Sequence, residues 1–144
     1  MRTFLMITLA VGFPLIVVLA DEAHAVQDTP ATINGVEAVC TGVGSAKDDP
    51  RWRAYPVKIV LATSDGANLA NAHVSLSRGG QEVAGLDCDA PWILFKPPAG
   101  GYTATATLIG GSGQSHSADF TTSGSGAQKE ITILFARPPE APTQ

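Results

Sequence analysis

PPAGGYTATATLIG, from Pro97 to Gly110, reads as a hard corner followed by a strand. Two prolines and two glycines turn the chain, and Tyr102 opens a run of period-two alternation. Tyr102, Ala104, Ala106 and Leu108 fall on one face, and Thr103, Thr105 and Thr107 on the other. β-Branched and aromatic residues favour the extended state, and Gly110 and Gly111 end it. The remainder of the chain is expected to be strands packed around this one.

Working outward, Val36, Ala38 and Cys40 alternate with Glu37, Val39 and Thr41. Val57 to Ala62 is an apolar run of strand length without clean alternation, which suits a strand covered on both faces. Ser64 to Asn68 is turn chemistry. His73 to Ser77 alternates again, and Gly79-Gly80 is a two-residue hairpin signal leading into Gln81 to Leu86. Trp92 to Phe95 forms a short aromatic strand before the Pro97-Pro98 corner. His116, Ala118 and Phe120 share one face, and Ile131, Ile133 and Phe135 another. Seven or eight short strands, with turn signals about every ten residues and no amphipathic helical pattern, predict an all-β antiparallel sandwich.

The chain opens with Arg2 and an apolar run from Phe4 to Ala20, followed by Ala23 and Ala25 in the small-residue arrangement of a signal-peptidase site. A secretory signal over residues 1–25 is expected; the other reading is an uncleaved N-terminal anchor. Residues 26–32 form a flexible lead-in, residues 33–136 the sandwich domain and residues 137–144 a Pro-rich tail. Cleavage leaves 119 of the 144 residues, with 8 basic and 11 acidic side chains. An acidic surface of this kind excludes nucleic acid as a partner, because phosphate neutralisation needs clustered Lys and Arg. No other segment is long and apolar enough to span a bilayer after the signal is removed. Periplasmic or secreted location follows, with an unknown envelope protein or glycan as partner.

Cys40 and Cys88 are the two cysteines, and an even count in an exported chain points to a disulfide. Two free buried thiols, or a thiol used in chemistry, are the other readings. Asp87 and Asp89 flank Cys88 and oppose thiolate formation.

The most charged stretch, Ser45 to Tyr55, contains Asp48 and Asp49 ahead of Pro50, either of which suits an N-cap followed by proline at the first helical position. Arg51, Trp52 and Arg53 are candidate binding residues, since Trp and Arg are enriched in hot spots. The alternative is that Trp52 plugs one open end of the sandwich. Asp65 and Asn68, in the turn after Val57 to Ala62, are placed at the same end as Trp52. His73 and His116 are single strand residues without a neighbouring carboxylate in sequence, so no catalytic residue, metal or cofactor is expected.

Asn71 to Leu76, the corner Pro97-Pro98-Ala99-Gly100-Gly101-Tyr102-Thr103 and the final apolar strand resemble the carboxypeptidase regulatory-like domains, a transthyretin-like group of β-sandwiches. More narrowly, Asn34-Gly35-Val36, Thr41-Gly42-Val43-Gly44, Tyr55 to Ala62, Ala90-Pro91-Trp92 and the Gly101-Tyr102-Thr103 strand entry look like a small exported bacterial family built on that domain. The resemblance implies an accessory module without catalysis of its own. The transthyretin-like hydrolases of 5-hydroxyisourate end in Tyr-Arg-Gly-Ser and use paired histidines; here Phe135-Ala136-Arg137-Pro138 stands instead. The expected function is therefore an exported, non-enzymatic module with a binding or structural role in the cell envelope. A carbohydrate-binding module is the first alternative, requiring Trp52 and Trp92 both exposed. A small metal-dependent enzyme is the second, requiring His73 and His116 to converge.

Overall fold

The computed structural model describes residues 25–110 and 113–137. The expected signal peptide, apart from Ala25, and most of the Pro-rich tail lie outside the described residues. Among the described residues, nine strands form two sheets: β1 Ala31–Ile33, β2 Val36–Thr41, β3 Val57–Thr63, β4 Ala72–Arg78, β5 Gln81–Cys88, β6 Trp92–Lys96, β7 Gly100–Leu108, β8 Ser115–Thr122 and β9 Lys129–Phe135. One sheet has the order β1-β2-β6-β3-β9 and the other β5-β4-β7-β8. All pairings are antiparallel except β3 with β9, which run parallel. The predicted sandwich is present with one or two strands more than expected.

The extra strand changes the reading of the lead-in. Ala31–Ile33 pairs with β2, the Asp28 amide donates to the Cys40 carbonyl at 2.8 Å, and the Thr41 hydroxyl donates to Asp28 Oδ1 at 2.6 Å. The segment from Asp28 to Ile33 is thus docked along the sheet edge rather than loose, since its backbone groups find ladder partners there.

Alternation decides what each strand buries. Val36, Ala38 and Cys40 of β2, Val57, Ile59 and Leu61 of β3, and Ile93 and Phe95 of β6 meet Val74, Leu76, Leu86, Ala104 and Ala106 of the facing sheet in one core. Tyr102 is 5% exposed, stacks on Phe120 at 5.9 Å and donates its hydroxyl to the Pro98 carbonyl at 2.7 Å. It ties the Pro97-Pro98 corner to the strand that follows. Cys40 and Cys88 are joined in a disulfide with Cα atoms 5.7 Å apart, and the bridge links β2 of one sheet to β5 of the other.

A second, smaller core lies on the outer side of the five-stranded sheet. Two 3-10 turns, Gly44–Asp48 and Pro50–Ala54, cross that side and pack Trp52 and Tyr55 on Val39 and Leu94. Of the two candidate caps, Asp49 caps the second turn by accepting from the Arg51 amide at 2.9 Å, with Pro50 at the first position.

Candidate functional site: a carboxylate-flanked histidine on an open sheet face

The outer side of the β5-β4-β7-β8 sheet has no covering element among the described residues, and its composition is polar. Period-two alternation sends Thr103, Thr105 and Thr107 of β7 to this side, with His73, Ser75 and Ser77 of β4. Register then lines residues up across strands. Asp87, His73, Thr107 and Ser115 form one row, and Gly85, Ser75, Thr105 and Ser117 the next. Neighbours in a row hydrogen-bond: Thr107 with Ser115 at 2.9 Å, Thr105 with Ser117 at 2.8 Å, and Thr103 donates to Asp119 at 2.6 Å.

His73 stands between two carboxylates. Its Nδ1 is 2.7 Å from Asp87 Oδ1, and its Nε2 is 3.5 Å from Glu82 Oε1. Asp87 reaches it as the direct cross-strand partner. Glu82 reaches it because of a β-bulge: Leu76 pairs with Ala84 but Ser77 pairs with Glu82, so Val83 is the extra residue. The bulge moves Glu82 to the face of Ser77 and leaves Val83 packed against the core. The Glu82 side chain runs back over Gly85, where a Cβ would lie 2.7 Å from its Oε1 and 3.2 Å from His73 Nε2. Gly85 leaves the space in which the two side chains meet.

The electrostatics follow from the donor inventory. A carboxylate only accepts, so a carboxylate on each ring nitrogen calls for a proton on each. Burial alone would lower the His73 pKa, but the hydrogen bonds to Asp87 and Glu82, with their charges, outweigh it and hold the imidazolium above the ordinary histidine value. The His73 side chain is 44% exposed, against 15% for Asp87. The result is an oriented proton donor whose Asp87 side is enclosed and whose Glu82 side opens to solvent.

The sequence-predicted residues are elsewhere. Trp52 is 4% exposed, with its indole N–H donated to the Ala46 carbonyl at 2.8 Å. It covers the outer side of the five-stranded sheet rather than plugging an end, and its burial removes the paired exposed Trp that sugar stacking requires. Arg51 is spent on Asp49, with contacts of 2.8 to 3.2 Å, and Arg53 is exposed. Asp65 accepts from the Thr63 hydroxyl and pairs with Arg137 at 3.0 Å, while Asn68 bridges back to Ala62. Trp52 precedes β3 and Asp65 follows it, so the seven residues of that strand, roughly 23 Å, hold them at opposite ends. They do not gather into one site.

His116 pairs across from Ala106, on the inner-facing side of its strand, with its ring 5.0 Å from that of Phe135. His73 is on the opposite side of the same sheet, so the two histidines do not converge. No group of three His, Cys, Asp or Glu residues among the described residues has metal-binding geometry.

No family model and no curated protein matches the chain. Among solved structures it is similar to the 5-hydroxyisourate hydrolase of Klebsiella pneumoniae, with 22% identity and a TM-score of 0.42, over 56% of this chain and 88% of that one. The expectation of a non-enzymatic envelope module is corrected here. His73, which has no carboxylate nearby in sequence, has two in space, brought to it by cross-strand register and a bulge.

Proposed function

We propose that the chain is an enzyme of the general acid–base type, with the His73 face as its active surface and hydrolysis of a polar ester-like or amide-like bond as its reaction. The observation that carries this reading is the contact of His73 Nδ1 with Asp87 Oδ1 at 2.7 Å, with Nε2 on the exposed side. Asp87 fixes the ring orientation and stabilises the imidazolium. Glu82, exposed and at 3.5 Å, swings aside when substrate enters. Water adds to the carbonyl carbon, releasing one proton to solvent and giving a tetrahedral intermediate. Nε2–H then protonates the departing oxygen or nitrogen as its bond to carbon breaks, and a proton from solvent restores the acid. Ser and Thr hydroxyls of the adjoining rows offer hydrogen bonds to a polar substrate lying flat on the sheet.

General acid–base groups contribute roughly 100- to 10,000-fold to rate. A panel of aryl esters, lactones and cyclic amides tests the proposal with the wild-type chain and the His73→Gln and Asp87→Asn variants. Turnover of at least one substrate is expected, with loss in that range for His73→Gln and a partial loss for Asp87→Asn. No turnover, or turnover indifferent to His73→Gln, removes the reading.

We also infer that the protein works in an oxidising compartment outside the cytoplasm, as a periplasmic or secreted protein. The Cys40–Cys88 bridge supports this, as does the leader-like N-terminal sequence. No helix among the described residues is long and apolar enough to cross a membrane. The Gly101-Tyr102-Thr103 strand entry supports kinship in fold with the carboxypeptidase regulatory-like sandwiches.

A further inference from the structure

On the far side of the sandwich from His73, the two 3-10 turns and the outer side of the five-stranded sheet enclose a groove. Lys47, Arg53 and Lys58 line it with Asp48, Asp49 and Trp92. It thus gathers three cations, in a chain whose net charge is −4. Of the two carboxylates in the lining, Asp49 is paired with Arg51. Lys47 and Arg53 have no ion pair among the described residues, which leaves Asp48 as the counter-charge at the rim.

Lys58 is the informative one. Its side chain is 14% exposed, and its ammonium sits 3.5 Å from the centre of the Trp92 ring. Among the described residues its one ionic partner is the exposed Glu130, at 3.3 Å. An ammonium has three donors, and one lateral carboxylate at 3.3 Å does not engage them all. The walls are firm: Gln128 donates to the carbonyls of Trp52 and Tyr55 at 2.8 and 3.0 Å, and Trp92 lies so close over Gly42 that a Cβ there would be 2.5 Å from its Cγ. Gly42, at φ +101°, is in a conformation that favours glycine and permits this close approach.

We propose that this groove is a binding site for a small organic anion, with its carboxylate held by Lys58 and Arg53 and a flat apolar body resting at the exposed edge of Trp92. Cations lining one recess beside an aromatic ring fit that chemistry: charge-assisted hydrogen bonds fix the head, and apolar contact favours the body. The site is separate from the His73 face, and each stands or falls alone.

Benzoate is a direct probe, with benzamide as its uncharged counterpart. In a two-dimensional NMR titration of the full chain, benzoate is expected to shift the Trp92 indole N–H signal saturably and benzamide is not. Arg53→Gln, at an exposed position, and Lys58→Gln are each expected to weaken benzoate binding roughly tenfold. Absence of a saturable Trp92 shift overturns the proposal. So does equal binding of benzamide, or undiminished benzoate binding in Arg53→Gln.

Discussion

His73 Nδ1 and Asp87 Oδ1 lie 2.7 Å apart, directly opposite one another on adjacent strands. The contact gives the folded chain a proton that the unfolded chain releases earlier. A folded-state pKa raised above the unfolded value means that the native state binds more protons in the interval between them. The stabilisation is fully present below the unfolded value, ~6.5, and is lost as pH rises through the folded value. Urea midpoints measured across neutral pH are expected to fall with rising pH in the wild type. They should stay flat over the same interval in His73→Gln.

Gly85 allows a sharper test of the same cluster. Its φ is not in the left-handed region, so Gly85→Ala carries no backbone penalty of that kind. The new methyl group would displace the flexible end of Glu82 from His73, and at 3.2 Å from Nε2 it would also press on the imidazole by a few tenths of an ångström. The expected outcome is a lower His73 pKa by NMR, with little loss of stability. An unchanged pKa would mean that Glu82 contributes nothing to holding the proton.

The inter-sheet disulfide closes a loop of 48 residues, for which chain entropy gives about 4 kcal/mol. The paired change Cys40→Ala with Cys88→Ala should lower unfolding free energy by that order in denaturant titration.

Trp52 now carries a structural prediction rather than a binding one. Trp52→Ala would empty the small core over Val39 and Leu94 and strand the Ala46 carbonyl, at a cost of about 3–5 kcal/mol. Chemical denaturation checks this; Asp65→Ala, at the exposed far end of β3, should cost much less.

The sandwich was legible because alternation and turn chemistry agree in most strands. Tyr102 to Leu108 buries one face as its pattern predicts, and Gly79 and Gly80 both take positive φ in the two-residue hairpin. The His73 cluster was not legible. Counting back from that hairpin, where Arg78 pairs with Gln81, sets His73 opposite Leu86; the bulge at Val83 shifts it by one, to Asp87. A clue was present: an unbroken register would put polar His73 and apolar Leu86 on one face. That conflict is resolved by inserting one residue, but the sequence alone does not say where. Trp52 was misplaced for a related reason, since local pattern shows a capped turn without showing which sheet face it crosses.

The central claim is that His73, protonated and held by Asp87, donates a proton during turnover. Its most direct test is the pH dependence of kcat/KM on an amide or lactone substrate, set beside the His73 pKa measured by NMR in the same buffer. The account predicts activity that declines as pH rises, with an inflection at the measured His73 pKa, above the ordinary histidine value, and no such inflection in His73→Gln. A profile that keeps its inflection in His73→Gln, or one with no feature at the measured pKa, would contradict it.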